Sequence, residues 1–432
     1  MIAHADAAGV TASRIRQTYL DRTGRSAAAF ERAERVLAGG NTRQSAFWRP
    51  YPLTISKASG CHLWDADDNR YIDLLNNYTA LVHGHCYPPI VEAVERQLRN
   101  GSCWAASAIE QVSLAEQITT RIPSVDQVRF ANSGSEAANL ALTIARTVTG
   151  RDKVLMARHG YHGSLIEFES GHTNRPWTMT YLADYNDSGD FRQVLAEHGD
   201  EIAAVFLEPV LGAGGIIPAD RDFLLAVMDA TRTAGAVFVL DEVLTFRLSI
   251  GGMQGMLDIE PDLTMLGKFI GGGHPVGAVG GRRELMAAFD PDDGKIFHGG
   301  TFNGNPLTMA AGAVSVAELT GGRIERMGAL AERLRAGLLE AGNSFKLPLT
   351  VNHVGSLMNL HFSAGEPTPK AHRGADDMMG LFHLAALNSG VFIAPRGLIA
   401  LSTVLTEELI DEAIDRCAAA MSDVADECSP TT

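Results

Sequence analysis

The chain has 432 residues, of which 46% are hydrophobic and 20% charged, a composition typical of a soluble globular protein. It carries 36 Lys and Arg against 51 Asp and Glu, so its formal charge is −15 at pH 7. Nucleic acids and anionic membranes attract clustered basic residues, so this charge argues against both as partners. No apolar stretch is long enough for a transmembrane helix, and the first 16 residues lack the apolar core of a secretory signal.

Five cysteines occur at unrelated spacings, without a CxxC pair. An odd count without a framework predicts free thiols in a reducing compartment. We therefore expect a cytoplasmic protein without a metal site.

The predicted elements change character twice along the chain. From about residue 127, short runs that are apolar on both faces alternate with amphipathic helices, the pattern of a doubly wound α/β sheet with buried parallel strands. Outside that region we predict helices at 12–38, 89–100, 307–342 and 405–422, and strands within 52–74, 356–362 and 390–401. The predicted domains are an N-terminal segment at 1–75, a large α/β domain at 76–315 and a C-terminal segment at 316–432, with the two end segments forming a smaller domain.

Two ionisable residues follow apolar runs in the central region. Asp241 ends a buried run, where open α/β sheets bind their ligands, although an Asp there also caps turns. Lys268 ends another run and precedes three glycines, which permit close backbone approach. A lysine partly removed from water has a lowered pKa and reacts as an amine with aldehydes. The alternative is a surface lysine in a flexible loop.

Further segments offer phosphate-binding and aromatic groups. A helix that starts in small polar residues presents free N–H groups to a phosphate, and an aromatic residue between glycines can stack on a flat ring. Each segment also has an ordinary interpretation, as a helix cap, a packed aromatic pair or a turn. The candidates are Ser133, Gly134 and Ser135 at a helix start, Tyr161 and His162, Glu208 at a strand end, and Thr301 in a glycine-rich loop.

Together these residues supply an amine for an aldehyde, a carboxylate for a pyridinium nitrogen, an aromatic plate and phosphate-binding loops. Pyridoxal 5'-phosphate (PLP) requires this set, because the cofactor is the electron sink and the protein binds and orients it. The sequence therefore predicts a PLP enzyme.

The order of these motifs resembles the class III aminotransferases of PLP fold type I, from about residue 39 to residue 414. The motifs are most similar to those of β-phenylalanine aminotransferases and glutamate-1-semialdehyde aminomutases. The shared sequence motifs include Arg-Tyr-Ile-Asp at 70–73, Ser-Gly-Ser-Glu-Ala at 133–137, Gly-Tyr-His-Gly at 160–163 and Gly-Gly-Gly-His-Pro at 271–275. The resemblance implies a mostly parallel, seven-stranded sheet between helices, with a smaller α+β domain beside it.

Residue roles follow from the resemblance by position. It implies that Lys268 forms the Schiff base with PLP and moves the proton between the substrate and cofactor carbons, and that Asp241 pairs with the pyridine nitrogen. It also implies that Thr301 reaches the phosphate from the neighbouring subunit, so a homodimer with shared active sites is the minimum functional unit. The implied cofactor contacts are Ser133, Gly134, Ser135, Tyr161, His162, Glu208, Asp241, Val243, Lys268 and Thr301.

Two arginines bear on the substrate. Arg43 lies where both groups of relatives place a carboxylate-binding arginine, and Arg396 resembles the arginine loop of the β-amino-acid aminotransferases. A guanidinium offers a carboxylate a planar fork, and a transaminase must accept a donor and an acceptor in one site. We therefore predict an aromatic β-amino acid such as β-phenylalanine as donor and 2-oxoglutarate or pyruvate as acceptor. The alternative for either arginine is a surface ion pair, and the nearby aromatic segment 47–52 forms either a pocket wall or core.

Other activities remain open at this point. They are a glutamate-1-semialdehyde 2,1-aminomutase, another class III ω-amino acid or amine transaminase, and an amino-acid epimerase. Retention of both Lys268 and Asp241 argues against a non-enzymatic PLP-fold protein, and the lack of a GxGxxG after the first buried strand argues against a dehydrogenase.

Overall fold

The structure, a computed structural model, describes residues 13–165, 168, 179–363, 365 and 377–428. The helices in these ranges are α1 (Arg14–Arg22), α2 (Gly24–Glu34), α3 (Asn76–Thr79), α4 (Pro88–Asn100), α5 (Ile109–Arg121), α6 (Gly134–Thr149), α7 (Ser188–His198), α8 (Arg221–Thr233), α9 (Gly252–Leu257), α10 (Arg283–Met286), α11 (Pro306–Glu318), α12 (Gly321–Ser344), α13 (Asp377–Asn388) and α14 (Glu407–Cys428). The strands are β1 (Ile55–Ser59), β2 (His62–Asp65), β3 (Arg70–Asp73), β4 (Gln127–Ala131), β5 (Lys153–Ala157), β6 (Thr180–Ala183), β7 (Ile202–Leu207), β8 (Val210–Leu211), β9 (Ile217–Pro218), β10 (Val237–Asp241), β11 (Leu263–Gly267), β12 (Gly277–Gly281), β13 (Leu349–Val354), β14 (Leu357–Phe362), β15 (Val391–Phe392) and β16 (Leu398–Ala400).

A seven-stranded sheet lies at the centre, in the order β4-β12-β11-β10-β7-β5-β6. The pairs from β11 to β6 are parallel, whereas β12 runs antiparallel to both of its neighbours. Every residue of β7, β10 and β11 is buried, because helices cover both faces. The predicted mostly parallel sheet between helices is confirmed, and β12 is a reversed strand within it.

The two ends of the chain form a second packed unit. One hydrophobic cluster joins Ile15 and Tyr19 of α1 to Phe382 of α13 and Met421 of α14. Strand β15 also pairs in parallel with β3, near the opposite end of the sequence. The domain boundaries at residues 75 and 315 stay predictions.

The N-terminal region differs in detail from its prediction. The helix expected at 12–38 is two helices, since Thr23 leaves helical dihedral angles at φ −126° and ψ 37°. Within the aromatic segment Tyr51 is buried core, whereas Trp48 is half-buried against that core and its indole N–H donates to the Tyr19 hydroxyl at 3.1 Å. Trp48 also packs edge-on against the buried ring of His383. Burial of these large rings stabilises the unit formed by the chain ends.

Among the described helices, none is long and apolar enough to cross a bilayer. The described residues also contain no group of His, Cys, Asp or Glu arranged to hold a metal ion.

Candidate active site

The chemistry-bearing residues meet at one edge of the central sheet. The central sheet has parallel strands at β5, β7, β10 and β11. Strand β4 runs in the same direction, because β12 is antiparallel to both β4 and β11. Their carboxyl ends therefore share an edge, which is where open α/β sheets bind ligands. The chain leaves that edge at Ser133, His162, Glu208, Asp241 and Lys268, each at or shortly after the end of its strand.

Lys268 directly follows β11 and has a φ of 54°. A lysine in this left-handed region carries backbone strain, and such residues are concentrated at functional sites. Burial lowers the pKa of Lys268 to about 8, while the nearby carboxylates of Asp241 and Glu208 act in the opposite direction. Among the described residues, none makes a hydrogen bond or ion pair with its Nζ. This amine is therefore available to a ligand and is partly neutral near physiological pH.

The carboxylate of Asp241 is held from two sides. Its Oδ1 accepts the backbone N–H of Val243 at 3.0 Å, and its Oδ2 lies 2.9 Å from Nδ1 of His162. Because a carboxylate only accepts, Nδ1 of His162 carries the proton. The other ring nitrogen of His162 is buried without a hydrogen-bond partner in the described structure. Asp241 keeps free lone pairs, so it can accept a further proton donor.

Glu208 forms hydrogen bonds with two loops at the same edge of the sheet. Its Oε1 accepts the backbone N–H of Tyr161, and its Oε2 accepts that of Gly212, both at 3.1 Å. Burial raises the pKa of Glu208 to about 7, with the charge of His162 acting against the rise and that of Asp241 adding to it. Glu208 thus positions the backbone beside the aromatic ring of Tyr161.

The start of α6 has the features of a phosphate site. Ser133 caps the helix by accepting the N–H of Glu136 at 3.1 Å, and the Oγ of Ser135 accepts the N–H of Ser164 at 3.0 Å. The first N–H groups of a helix have no partner within it, and the 16-residue helix adds its dipole. A methyl group added at Gly134 would lie 3.5 Å from Val243, which packs behind this turn. The backbone here is free to receive an anion.

The two predicted carboxylate-binding arginines contact a single aromatic ring. The Cζ of Arg43 lies 5.6 Å from the ring centroid of Tyr78, and the Cζ of Arg396 lies 5.7 Å from it. Arg43 also donates to Oδ1 of Asn77 at 2.6 Å, and Arg396 donates to the carbonyl of Ala213 at 3.2 Å. Within the described ranges, neither arginine forms an ion pair with an acid of the protein.

Thr301 is the exception among the predicted residues. It is exposed in the loop before α11, and its carbonyl oxygen lies 3.7 Å from the Sγ of Cys103. Its role at the phosphate of a neighbouring subunit stays a prediction.

Two residues and one turn of the site were not predicted. The sequence places Tyr78 at the start of a segment, 78–85, that resembles a substrate pocket, but it does not predict the left-handed turn α3 to which Tyr78 belongs. Asn76 and Asn77 were the one local signal, because Asn tolerates that conformation. Arg247 is completely buried and donates to the carbonyl of Leu401, a partner that only the fold reveals. Gly277 opens β12 against the start of α6.

These groups fit PLP. The unpaired amine of Lys268 suits an aldehyde, the free lone pairs of Asp241 suit a ring nitrogen, and the start of α6 suits a phosphate. His162 contacts Asp241 through Nδ1, so its unpartnered Nε2 does not occupy the free lone pairs of that carboxylate.

The fold and the site together define a PLP-dependent enzyme of fold type I. The chain belongs to the class III aminotransferases, whose family model matches residues 45–424. It is 41% identical over 403 residues to a β-phenylalanine transaminase of Variovorax paradoxus, covering 91% of this chain and 92% of that protein. It is 39% identical over 399 residues to a glutamate-1-semialdehyde 2,1-aminomutase of Aeropyrum pernix, covering 88% and 93%.

Solved structures agree with this assignment. An ω-transaminase from Sphaerobacter thermophilus superposes with a TM-score of 0.88 at 38% identity, covering 92% of this chain and 97% of that one. A transaminase solved with PLP bound superposes with a TM-score of 0.88 at 32% identity, covering 94% and 99%. PLP is accordingly the cofactor of this enzyme.

Proposed function

We propose that this enzyme transfers the amino group of an aromatic β-amino acid, with β-phenylalanine as the model donor, to 2-oxoglutarate or pyruvate. The observation that carries the proposal is the pair Arg43 and Arg396, which share one aromatic ring and have no acid partner among the described residues. Two separate guanidinium groups suit an enzyme that binds two different carboxylic acids in turn. The similarity to a β-phenylalanine transaminase supports the same donor.

PLP, when bound, supplies the electron sink for the bonds broken at the amino-bearing carbon. The protein's part begins with Lys268, whose lowered pKa lets its Nζ both bond the cofactor aldehyde and carry a proton. Asp241, oriented by His162 and the N–H of Val243, supplies the negative charge that keeps a ring nitrogen protonated. These four residues are therefore proposed to form the reacting centre.

The phosphate and the ring are assigned to other groups. We propose that Ser133, Gly134 and Ser135 bind the phosphate through the first turn of α6, and that Tyr161 stacks on the cofactor ring. Glu208 holds the backbone of Tyr161 and so limits where that ring can lie. The division keeps the anionic end of the cofactor at the positive end of a helix.

We also propose a homodimer in which Thr301 of one subunit reaches the phosphate of the other. An apolar patch beside this loop supports it, formed by Trp104, Ile109, Phe297 and Phe302, of which Phe297 is 96% exposed. Contacts of Ser102 and Cys103 with the loop place the neighbouring Trp104 close to it. Exposed apolar patches mark interaction sites. The five cysteines, all free thiols, support the cytoplasmic location proposed for the dimer.

The test follows the visible spectrum of the PLP-loaded enzyme after β-phenylalanine is added without any acceptor. We expect the aldehyde form of the cofactor to convert to pyridoxamine phosphate, and 2-oxoglutarate or pyruvate to restore it. An unchanged spectrum with β-phenylalanine, together with turnover of glutamate-1-semialdehyde in the absence of any keto acid, would identify an aminomutase instead. Conversion by simple amines but not by β-amino acids would identify an amine transaminase.

A further inference from the structure

The turn α3 has a backbone that L-residues rarely adopt. Its four residues, Asn76 to Thr79, have φ values of 52°, 50°, 55° and 76°, and none is a glycine. The N–H of Thr79 bonds to the carbonyl of Leu75 at 3.2 Å, which closes a left-handed helical turn. Each such residue is less favourable than in a right-handed helix, so the surroundings must hold the turn in place.

The start of the turn is held by a buried carboxylate. Oδ1 of Asp73 accepts the N–H groups of Leu75 and Asn76 at 2.8 and 2.9 Å. Oδ2 of Asp73 is bonded in turn to Nε2 of His85 at 2.7 Å. Asp73 is therefore fixed on one side and initiates the turn on the other.

The remainder of the turn is tied to the C-terminal part of the chain. The side-chain amide of Asn76 donates to the carbonyl of Ala400 at 2.5 Å. The guanidinium of Arg247, which is completely buried, contacts the carbonyl of Thr79 at 3.5 Å and donates to that of Leu401. The turn is thus held by Asp73 just before it, by the bond of its own Asn76 to the distant carbonyl of Ala400, and by the side chain of the distant Arg247.

The turn presents two side chains toward the arginines. Tyr78 lies under both guanidinium groups, and its hydroxyl donates to the carbonyl of Ser45 in the segment that follows Arg43. Asn77 contacts Arg43 alone. Tyr78 is thus the shared element, and Asn77 the element specific to one arginine.

The chemistry of the contact explains why a ring is needed. The face of an aromatic ring is electron-rich, so it attracts a guanidinium while leaving the N–H edges free to bind a carboxylate in its plane. Two like charges near one site repel each other, and contact of both with the same aromatic ring offsets part of that repulsion without consuming their hydrogen-bond donors. An acid in this place would instead compete with the substrate.

We propose that Tyr78 is a specificity-determining residue that positions both carboxylate-binding arginines, so that the donor and the acceptor depend on one ring. The inference rests on the proposed function, because it assumes that Arg43 and Arg396 bind the two substrate carboxylates. Removal of the ring must weaken both substrates, whereas removal of the Asn77 side chain must weaken only the one bound by Arg43.

The experiment measures the two half-reactions separately in the PLP-loaded enzyme, by stopped-flow absorbance with β-phenylalanine and then with 2-oxoglutarate. For Tyr78→Leu we expect the concentration for half-maximal rate to rise roughly two- to thirtyfold for both substrates, the range of a cation–π contact. The limiting rates should stay within about twofold, because Tyr78 acts on binding. Tyr78→Phe keeps the ring and should restore both values to near those of the unmodified enzyme, and Asn77→Gly, which suits a positive φ, should raise only one.

Calorimetric binding of two unreactive acids provides a readout independent of turnover. These are 3-phenylpropanoate, which lacks the amino group of the donor, and glutarate, which lacks the keto group of the acceptor. Tyr78→Leu should weaken both, with an unfolding temperature close to that of Tyr78→Phe. If the unmodified enzyme does not react with β-phenylalanine, the proposed function fails, but this binding comparison still tests Tyr78.

Three results would overturn the inference. One is a Tyr78→Leu variant that is impaired toward only one substrate or one acid. Another is a Tyr78→Phe variant as impaired as Tyr78→Leu, which would assign the effect to the hydroxyl and Ser45. The third is an unmodified enzyme that binds neither acid.

Discussion

At the scale of single residues, burial shifts the pKa values of a base and an acid of the site in opposite directions. Lys268 and Glu208 lie near each other's charge, yet burial lowers the pKa of the lysine and raises that of the acid. In both cases the neutral form is favoured, because removal from water penalises charge of either sign. The site therefore has a reactive amine without a full ion pair that would have to be broken first.

This environment predicts the pH dependence of PLP capture by the apoprotein. Only the neutral amine attacks an aldehyde, so the capture rate should rise with pH and reach half its maximum near pH 8, rather than near the ordinary lysine pKa. The measurement is the pH profile of the visible absorbance change after PLP is mixed with apoprotein, relative to a free amine under the same conditions. Lys268→Met should show no covalent capture at any pH.

The lowered pKa of Lys268 also makes the stability of the apoprotein depend on pH. The pKa of Lys268 lies below its unfolded value of 10.5, so the unfolded chain binds more protons between about pH 8 and pH 10.5. The buried lysine therefore destabilises the apoprotein most below pH 8, and the penalty disappears as the pH rises. Lys268→Met should raise the apoprotein Tm more at pH 7 than at pH 10, and an equal change at both values would contradict the assigned pKa.

At the scale of elements, the strands were predictable and the irregular turns were not. Strands β7, β10 and β11 are runs buried on both faces, so composition alone marks them, and the polar residue that ends each run marks the site edge. Strand β12 is Gly-Ala-Val-Gly-Gly, a weak strand former by itself, and it is held between β11, which precedes it in the chain, and β4, which is distant in sequence.

The left-handed turn is the clearest case of a feature set by distant contacts. Its local sequence, Asn-Asn-Tyr-Thr, has no glycine, and its geometry depends on Ala400 and Arg247, which lie far along the chain. The motif resemblance therefore predicted cofactor-binding residues that follow strands and a substrate-pocket segment beginning at Tyr78, but not the turn that sets the ring of Tyr78 against the two arginines.

Gly277 connects the reversed strand to the proposed phosphate site at the start of α6. A methyl group added there would lie 1.9 Å from the carbonyl oxygen of Ser133 and 3.2 Å from the N of Gly134. Gly277→Ala must displace the start of α6, at a cost of about 1–3 kcal/mol by overpacking. We expect the dissociation constant for PLP to rise about tenfold, as measured by fluorescence titration of the apoprotein.

A matched control is available in α12. A methyl group added at Gly328 would meet no atom within 4 Å, so Gly328→Ala should leave PLP affinity unchanged and stabilise the helix by about 0.5–1 kcal/mol. Unaltered PLP binding in Gly277→Ala would show that the α6 turn does not hold the phosphate.

At the scale of the whole molecule, the exposed patch around Thr301 sets the expectation for assembly. Phe302→Glu places a charge in the patch, where Phe302 is 59% exposed. If the patch is the dimer interface, burying that charge without a partner should favour monomers and reduce activity at least tenfold. Light scattering measures the mass, and Val148→Glu, at an exposed apolar position on α6, is the control. A fully active monomer would contradict the shared active site.

The two arginines come from the opposite ends of the chain, whereas Lys268 and Asp241 lie in the central sheet. In the proposed function, substrate choice and bond chemistry are therefore encoded in separate stretches of sequence. Exchange of the short segments around residues 40–50 and 390–400 for those of a relative should then change the acid that is accepted, while the reacting groups keep their places. The same separation would allow natural variants to differ in substrate specificity while the reaction at the cofactor stays the same.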